Sequence, residues 1–451
     1  MRRLPLAVAL AVLATACQSP SFLAPPTVAS AYVEDQVLVR FEVETGTGAR
    51  ADLRSKYGAK AVEALPSGTE RWHVTGDVGG IAGAIARESG VKAAQPNWIR
   101  HLQGFTPPDQ DYGNQKQWHL LANYLDMPAI WNDSGYNVSA LPGAGVTVAV
   151  VDSGVDLGHP DLLPSFHKDG SGNPLYIDEM PESSYAVPNL DGNGHGTHVA
   201  GIIAAASDSG VHGTGGNTGN IVGVAPGARI LAVKVMRRDG GGDDFTIAKG
   251  LDKAVAWRHP DNAAIKVNVI NLSIGGAEPS PALAASLANA TKNGILVVAA
   301  AGNYNQPVYY PAAYPGALAV GATNPRNLRA SYSCYGPQLA LVAPGGADPQ
   351  EASESLDSWS GIYSTFPSYT NYTNKLYYGA QAGTSMAAPV VAGVAALVLA
   401  KHPDLTPDQL RMRLIATADD IGDPGYDNLT GWGKINPRRA LDWVNHDGST
   451  P

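Results

Sequence analysis

Three side chains that could combine in hydrolytic chemistry stand at the ends of predicted strands or helices. Asp152 directly follows the apolar run 146–151, where a buried carboxylate is costly unless it is paired. His195 is flanked by glycines, which permit tight turns and close approach of another backbone. Ser385 precedes a long Ala/Val helical stretch with Pro389 in its first turns, where free N–H groups favour developing negative charge. Together they could supply an acid, a base and a nucleophile.

Each of these residues also has a purely structural interpretation. Asp152 could be a turn or cap residue, and a serine at a helix start is usually an N-cap. His195 and His198 could indicate a metal pair, but no further Cys, His or carboxylate lies at ligand spacing on that helix. The string GTSMAAP around Ser385 is far more specific than an N-cap requires. Cys334, in a polar loop, could be taken for a nucleophile, although we expect it to be structural.

The elements that must position these residues form a regular pattern in the second half of the chain. Consecutive apolar, β-branched runs indicate strands buried on both faces of a parallel sheet. Helical patterns lie between them, one starting at Ser280 and one at the capping-box residue Thr406. We predict a three-layer α/β domain with a mostly parallel sheet and its site at the carboxyl ends of the strands. The runs are 146–151, 228–235, 267–272, 295–300, 317–322 and 339–343.

The first hundred residues have a different organisation. Residues 36–94 read as strand, helix, two strands, helix and strand, a ferredoxin-like α+β plan without a cluster of catalytic residue types. We interpret this segment as a small auxiliary domain. Residues 18–31, rich in Pro, Ser and Ala, are predicted to be a linker.

Residues 1–17 have the features of a signal peptide. Arg2 and Arg3 precede the apolar stretch 4–13, and an Ala-x-Ala pattern follows directly before Cys17. This arrangement is similar to a bacterial lipoprotein signal, in which that cysteine is acylated and anchors the protein to a membrane. Ordinary secretion with an incidental cysteine is the alternative. The net charge of -9 offers no basic surface, and we predict no nucleic-acid partner.

The order Asp, His, Ser on loops of a parallel α/β domain is the order found in subtilisin. The strings around the three residues resemble the signatures of the subtilisin-like serine proteases, and the resemblance covers about residues 106–445. It implies a serine endopeptidase made as a self-processing zymogen. The signal features of residues 1–17 predict secretion, and nothing in the sequence demands more than a monomer. Residues 104–445 would be the catalytic domain and residues 32–103 an inhibitory propeptide domain.

Two other classes of protein were weighed against this interpretation. A catalytically inactive subtilisin-like binding protein remains the alternative, although all the catalytic residue types are present. An α/β-hydrolase such as a lipase requires a Gly-x-Ser-x-Gly elbow and the order Ser, acid, His. The string around Ser385 lacks the second glycine, and the residue order differs.

The resemblance also implies individual roles. Asp152, His195 and Ser385 would form the triad, and Asn303, otherwise a turn former, would donate to the oxyanion together with the Ser385 N–H. An extended peptide substrate would pair along one edge segment and face an opposite pocket wall. Because Tyr304 rather than an acidic residue follows Asn303, we expect a large apolar or aromatic residue, rather than a basic one, before the scissile bond. The edge segment contains Gly240 and Gly242, and the wall contains Ser273, Ile274, Gly275 and Gly276.

Calcium is the cofactor that the resemblance implies. Asp111, Asp161 and Asn217 match candidate ligands, and carboxylate and amide oxygens from separate loops suit this ion. Solvated polar loops are the alternative interpretation. The segments 164–189 and 346–360 have no counterpart in the resemblance and are predicted to be surface loops.

Overall fold

A computed structural model provides the three-dimensional structure of the chain. It describes residues 32–42, 44–64, 69–98, 116–132, 141–180, 191–207, 220–347, 360–367 and 377–443. The chain divides into two compact units, Met1–Gln103 and Gly104–Pro451. The signal, the linker, Cys17, Asp111, Asn217 and most of the 346–360 segment lie outside the described residues.

The first unit is a two-layer α+β structure. Its antiparallel sheet has the strand order β2-β3-β1-β4. Val37 and Val39 lie two apart on β1, so both point to the face that packs with Trp72 and Ile85 in the core. The predicted ferredoxin-like order is therefore confirmed. The elements are β1 (Tyr32–Phe41), α1 (Thr47–Lys56), β2 (Lys60–Ala64), β3 (Thr69–His73), α2 (Val78–Ile85) and β4 (Val91–Trp98).

In the second unit the described residues form a seven-stranded parallel sheet of order β13-β12-β11-β10-β5-β7-β6. Each of the six apolar runs became a strand, and the predicted fold class is confirmed. The strands are β5 (Thr147–Asp152), β6 (Tyr176–Asp178), β7 (Arg229–Lys234), β10 (Val269–Leu272), β11 (Leu296–Ala300), β12 (Ala317–Thr323) and β13 (Leu339–Pro344). Two short antiparallel pairs complete the described strands: β8 (Arg258–His259) with β9 (Asn262–Lys266), and β14 (Ile362–Thr365) with β15 (Tyr378–Gln381).

Strand β6 was not anticipated. It lies within the segment 164–189, which we predicted to be a surface loop, and it pairs with β7 at the edge of the sheet. A three-residue edge strand with exposed positions lacks the apolar run that identifies a buried strand.

Helices cover both faces of the sheet. Alternate residues of β5 serve opposite sides, since Val148 and Val150 join one core and Ala149 and Val151 the other. The predicted caps are present: Ser280 accepts from the Leu283 N–H, and Thr406 forms a capping box. The helices are α3 (Met127–Trp131), α4 (His195–Ala204), α5 (Asp244–Ala256), α6 (Pro281–Lys292), α7 (Thr384–Lys401), α8 (Pro407–Ala416) and α9 (Pro437–Asp442).

Helix α7 runs through the centre of the first of these cores. Within the described residues it alone has the length and apolar composition that a membrane span would need, but 83% of that stretch is buried inside the fold. Apolar side chains on every face are the expected composition of a fully surrounded core helix.

The buried histidines of the second unit predict a loss of stability in acid. Burial lowers the pKa of His119 and of His198 to about 3 each, with the nearby His195 adding to the effect on His198. The unfolded chain binds these protons near pH 6.5, so stability is complete above that pH and falls as pH drops toward 3. Between pH 7 and pH 5 each histidine is expected to cost about 2 kcal/mol of unfolding free energy.

Chemical unfolding of the Ser385→Ala chain at pH 7 and pH 5, followed by near-ultraviolet circular dichroism, measures this loss. The further replacement His119→Gln removes one titrating group and should reduce the pH dependence. An unchanged difference between the two pH values in that variant would contradict the assignment.

Candidate active site

The three candidate catalytic residues lie at the carboxyl edge of the parallel sheet. Asp152 is the last residue of β5, His195 the first of α4 and Ser385 the second of α7. Close packing explains one of the flanking glycines. A methyl group on Gly196 would lie 2.0 Å from the carbonyl oxygen of Gly154, so only glycine fits there.

Asp152 and His195 are joined by a direct hydrogen bond. The imidazole Nδ1 lies 2.8 Å from Asp152 Oδ1 and 3.0 Å from Oδ2, and the carboxylate is buried. Burial acts to lower the pKa of His195, but the charge and hydrogen bond of Asp152 and the charge of Asp191 together raise it. This arrangement favours the tautomer whose Nε2 can accept a proton, and it stabilises the imidazolium that results.

Asp191 is a structural residue of the site to which the sequence analysis assigned no role. It is fully buried, and its carboxylate accepts from the N–H groups of Gly194 and Thr197 at 2.8 Å each and from Ser153 Oγ at 2.8 Å. These bonds fix the loop that carries His195. An Asp shortly before a helix start was the available signal, since such residues commonly satisfy free N–H groups.

Ser385 is held by the segment that follows β10. Its Oγ donates to the carbonyl oxygen of Ser273 at 3.2 Å, while Ser273 Oγ donates to the carbonyl of Ser385 at 2.8 Å. Asn271 donates in turn to Ser273 Oγ at 3.0 Å. Both Ser385 and His195 are described, and no hydrogen bond joins them in this state. Catalytic hydrogen bonds often form fully only when substrate is bound.

Asn303 lies beside the nucleophile with its amide oriented by Thr384. Asn303 Oδ1 accepts from the Thr384 N–H and from Thr384 Oγ1, both at 2.8 Å, and Thr384 Oγ1 accepts from the Gly302 N–H at 3.1 Å. The amide nitrogen therefore points to the other side. An atom at the Cβ position of Gly383 would lie 3.2 Å from Asn303 Nδ2 and 3.6 Å from the Ser385 backbone nitrogen. Two donors thus border one small space next to Ser385.

The predicted substrate edge lies next to the His195 loop. Asn193 Nδ2 donates to the carbonyl of Arg238 at 2.9 Å, which links the two segments. A turn closed by hydrogen bonds between Arg237 and the residues 240–241 leads into this edge, and Gly240 and Gly242 are exposed. The edge is therefore accessible for an added strand.

The predicted pocket wall faces an aromatic residue that the sequence analysis did not consider. Gly276 and Tyr310 exchange two backbone hydrogen bonds of 2.8 and 2.9 Å. A methyl group on Gly275 would lie 3.5 Å from Tyr309 Cβ, and one on Gly302 would lie 3.2 Å from Tyr309 Cγ. Tyr309 therefore lies between Gly275, in the segment that holds Ser385, and Gly302, in the segment that bonds to Thr384. Ser273 and Ile274 begin the same wall.

Tyr304 extends this aromatic surface. Its ring stacks on Tyr309 with centroids 5.5 Å apart and planes inclined by 19°, and 68% of the side chain remains exposed. The two rings form one aromatic surface beside Gly275 and Gly302. The large residue before the scissile bond stays a prediction from the sequence, and the position of Tyr309 favours a small one instead.

Two further residues raised by the sequence have structural surroundings. Cys334 is fully buried and free, and its backbone N–H donates to the carbonyl of Gly302 at 2.9 Å. His198 is buried, with Nε2 3.2 Å from the carbonyl of Gly379. In the part of the chain that the structure describes, no three His, Cys, Asp or Glu side chains are grouped to hold a metal.

Asp161 is the candidate calcium ligand that can be examined. It is fully buried, its Oδ2 accepts from the Ile221 N–H at 3.0 Å, and its carbonyl accepts from the Ala206 N–H at 2.7 Å. A buried carboxylate oxygen between loops has the chemistry of a ligand for a hard cation. Asp161 thus fits calcium.

Comparison with known proteins agrees with this geometry. The subtilase family model matches residues 143–433, which include all four candidate catalytic residues. This chain belongs to the subtilase family. A second family model, the fervidolysin N-terminal prodomain, matches residues 20–97 of this subtilase. The predicted resemblance is therefore confirmed, and the family is one of serine endopeptidases.

Curated relatives and a solved structure support the assignment. Subtilisin NAT of Bacillus subtilis subsp. natto is 40% identical over 303 residues, which cover 66% of this subtilase and 66% of the relative. Subtilisin BL of Lederbergia lenta is 40% identical over 301 residues, 66% of this chain and 92% of the relative. A solved structure described as proteases from Pseudoalteromonas arctica matches this chain with a TM-score of 0.59 and 29% identity. The match covers 75% of this chain and 99% of the solved chain.

The position of Tyr309 leads to a prediction about peptide selectivity. The wild-type chain should cleave after Ala faster than after Phe, because the Tyr309 ring occupies the space that a large side chain needs. Tyr309→Gly should change the ratio of kcat/KM for Phe over Ala substrates by about tenfold or more in favour of Phe. Peptide anilides that differ only in that residue measure the ratio. An unchanged ratio in Tyr309→Gly would show that the ring does not border the pocket.

Proposed function

We propose that this subtilase is a secreted serine endopeptidase that uses Asp152, His195, Ser385 and Asn303. The observation that carries the proposal is the combination of the Asp152–His195 hydrogen bond with an Asn303 amide oriented toward Ser385. A helix start adds the Ser385 N–H as a second donor. This arrangement gives the catalytically inactive alternative no support.

The proposed reaction gives each of these groups one role. Ser385 Oγ attacks the carbonyl carbon of the peptide bond, and His195 Nε2 takes the hydroxyl proton. Asn303 Nδ2 and the Ser385 N–H bind the resulting oxyanion, while Asp152 stabilises the imidazolium. His195 then returns the proton to the leaving amine, and an acyl group remains on Ser385. Water, deprotonated by His195, releases the acyl group and regenerates the hydroxyl.

The N-terminal part of the chain would deliver and restrain the enzyme. Residues 1–17 would act as a signal peptide, 18–31 as a linker and 32–103 as an inhibitory propeptide removed by the enzyme itself. The match of residues 20–97 to a prodomain family supports this assignment. Attachment to a membrane through an acylated Cys17 is the alternative to release of a free monomer. Residues 104–445 would then be the catalytic domain.

Self-processing is tested by expressing residues 18–451 as wild type and as Ser385→Ala. We expect wild type to lose its N-terminal unit and to gain casein-hydrolysing activity that a serine-directed inhibitor blocks. The variant should remain full length and inactive, because the oxyanion donors alone leave little rate without the nucleophile.

Two controls make the outcome specific. Active wild type added to Ser385→Ala should remove the N-terminal unit in trans, which demonstrates that the variant is folded and cleavable. Shortening of isolated Ser385→Ala at the wild-type rate would assign processing to another protease. A wild type that stays full length and inactive would favour the binding-protein alternative.

Calcium is proposed as a structural ligand, with Asp161 as a ligand and Asp111 and Asn217 as further candidates. The ion would neutralise the buried Asp161 carboxylate and hold the neighbouring loops, without a part in the chemical step. At a free concentration a hundred times its Kd it would raise the melting temperature by about 4 °C. Thermal unfolding with calcium and with a chelator measures this difference.

Asp161→Asn keeps an oxygen acceptor for the Ile221 N–H but removes the charge. It should lose the response to calcium, whereas Asp169→Asn, at a partly exposed position, should retain it. Equal responses in both variants would remove Asp161 from the proposed site.

A further inference from the structure

A buried lysine lies directly behind the catalytic aspartate. Lys234 is the last residue of β7 and pairs in register with Asp152, the last residue of β5. Only 5% of Lys234 is exposed, although an isolated lysine ammonium is expensive to bury. The catalytic steps described above do not use this cation.

The ammonium of Lys234 is held against the turn that follows Asp152. Its Nζ donates to the carbonyl of Ser153 at 2.5 Å and to the carbonyl of Met236 at 3.3 Å. The backbone N–H groups of Val235 and Met236 donate to the carbonyl of Asp152 at 2.9 and 3.2 Å. Residues at the end of β7 therefore donate hydrogen bonds to both carbonyl groups of the Asp152–Ser153 turn.

Ser153 connects this hydrogen-bonded turn to the His195 loop. Its N–H donates to Asp152 Oδ1 at 2.7 Å, and its Oγ donates to Asp191 at 2.8 Å. The Gly196 N–H donates to Ser153 Oγ at 3.0 Å. A shift of the Ser153 carbonyl would consequently move both partners of the Asp152–His195 hydrogen bond.

The charge of Lys234 also matters because carboxylates surround it. Burial lowers the pKa of Lys234, and the charges of Asp191, Asp178 and Asp152 oppose that effect. Asp152 and Asp191 also act on His195 and raise its pKa. One buried cation thus stands among the carboxylates that set the proton affinity of the imidazole.

We propose that Lys234 is a positioning residue for the triad, which fixes the Asp152–Ser153 turn and whose positive charge limits the basicity of His195. The inference rests on the proposed peptidase function. With Lys234 neutralised, the two buried carboxylates act on His195 without a compensating charge. The imidazole then stays protonated to higher pH and cannot accept the Ser385 proton there.

Other titratable groups face this region from each neighbouring element and stay the same in the test. From β6 and its end come Asp178 and Glu179, and Glu179 binds Lys249 and Lys253 of α5. From α4 come His195 and His198. Because none of them changes in the variants below, a shift in titration reports Lys234.

The test is the pH dependence of kcat/KM in processed Lys234→Met, whose acidic limb reports the proton affinity of the catalytic base in the free enzyme. Removal of the cation that interacts with Asp152 and Asp191 should move this limb upward by about one pH unit. At pH values below the new limb, kcat/KM of Lys234→Met should be about tenfold lower than that of wild type at the same pH. Lys234→Arg retains the charge and should leave the limb in place even if its activity falls.

Lys434→Met is the matched control. Lys434 is buried to a similar degree, and its ammonium donates to the Tyr124 carbonyl and to Asn327 Oδ1 rather than to the triad turn. The acidic limb of kcat/KM in Lys434→Met should lie at the same pH as in wild type. A Lys234→Met limb that also coincides with wild type would overturn the proposal, whether or not the activity falls.

A direct titration separates this proposal from the peptidase function. The imidazole of His195 can be titrated by NMR in the full-length Ser385→Ala chain with and without Lys234→Met, assigned through His195→Gln. An upward shift supports the role of Lys234 even if wild type proves inactive toward peptides. No shift overturns it. Lys234→Gln, which also removes the charge, provides the same comparison if Lys234→Met does not fold.

Discussion

Two carboxylates buried at one edge of a parallel sheet constrain the rest of this site. Asp152 and Asp191 are almost completely inaccessible, and each must be satisfied by hydrogen-bond donors to remain ionised. Donors come from Ser153, from the loop before α4 and from His195 itself. The hydrogen bonds that these carboxylates accept therefore also fix the position of His195.

Shared hydrogen-bond partners also connect the segment of Ser385 to Asn303. Thr384 precedes Ser385 and orients Asn303 through two hydrogen bonds, while it also accepts from Gly302. Ser273 holds Ser385 from the other side through both its hydroxyl and its carbonyl. The start of α7 is thus fixed between the segments that follow β10 and β11. Donors held in place before substrate binds need little reorganisation during the reaction.

Local sequence signals were sufficient for most of the architecture. The six apolar runs became six strands because strands buried on both faces require apolar residues at consecutive positions. Caps such as Ser280 and Thr406 depend only on residues within one turn, so their effect is visible in the sequence. Strand β6 escaped notice because a short, exposed edge strand obtains its stability from pairing with β7 rather than from its own composition.

The residues that were missed lie close to the site only through long-range packing. Tyr309 was one of several tyrosines after Asn303, and its location between Gly275 and Gly302 depends on how two loops approach each other. Lys234 lies within the run 228–235, and the sequence analysis assigned it no role. Its importance follows from the neighbouring position of β5 and β7, which places it opposite Asp152.

The sequence by itself determined the family, the fold class and the types of residue available for catalysis, because motif strings and hydrophobic periodicity are local properties. Tertiary structure decided which of those residues touch. Asp152 and His195 are 43 residues apart, Asn303 and Thr384 are 81 apart, and Ser273 and Ser385 are 112 apart. Those contacts depend on the strand order of the sheet, which brings distant carboxyl ends together and which no local pattern encodes.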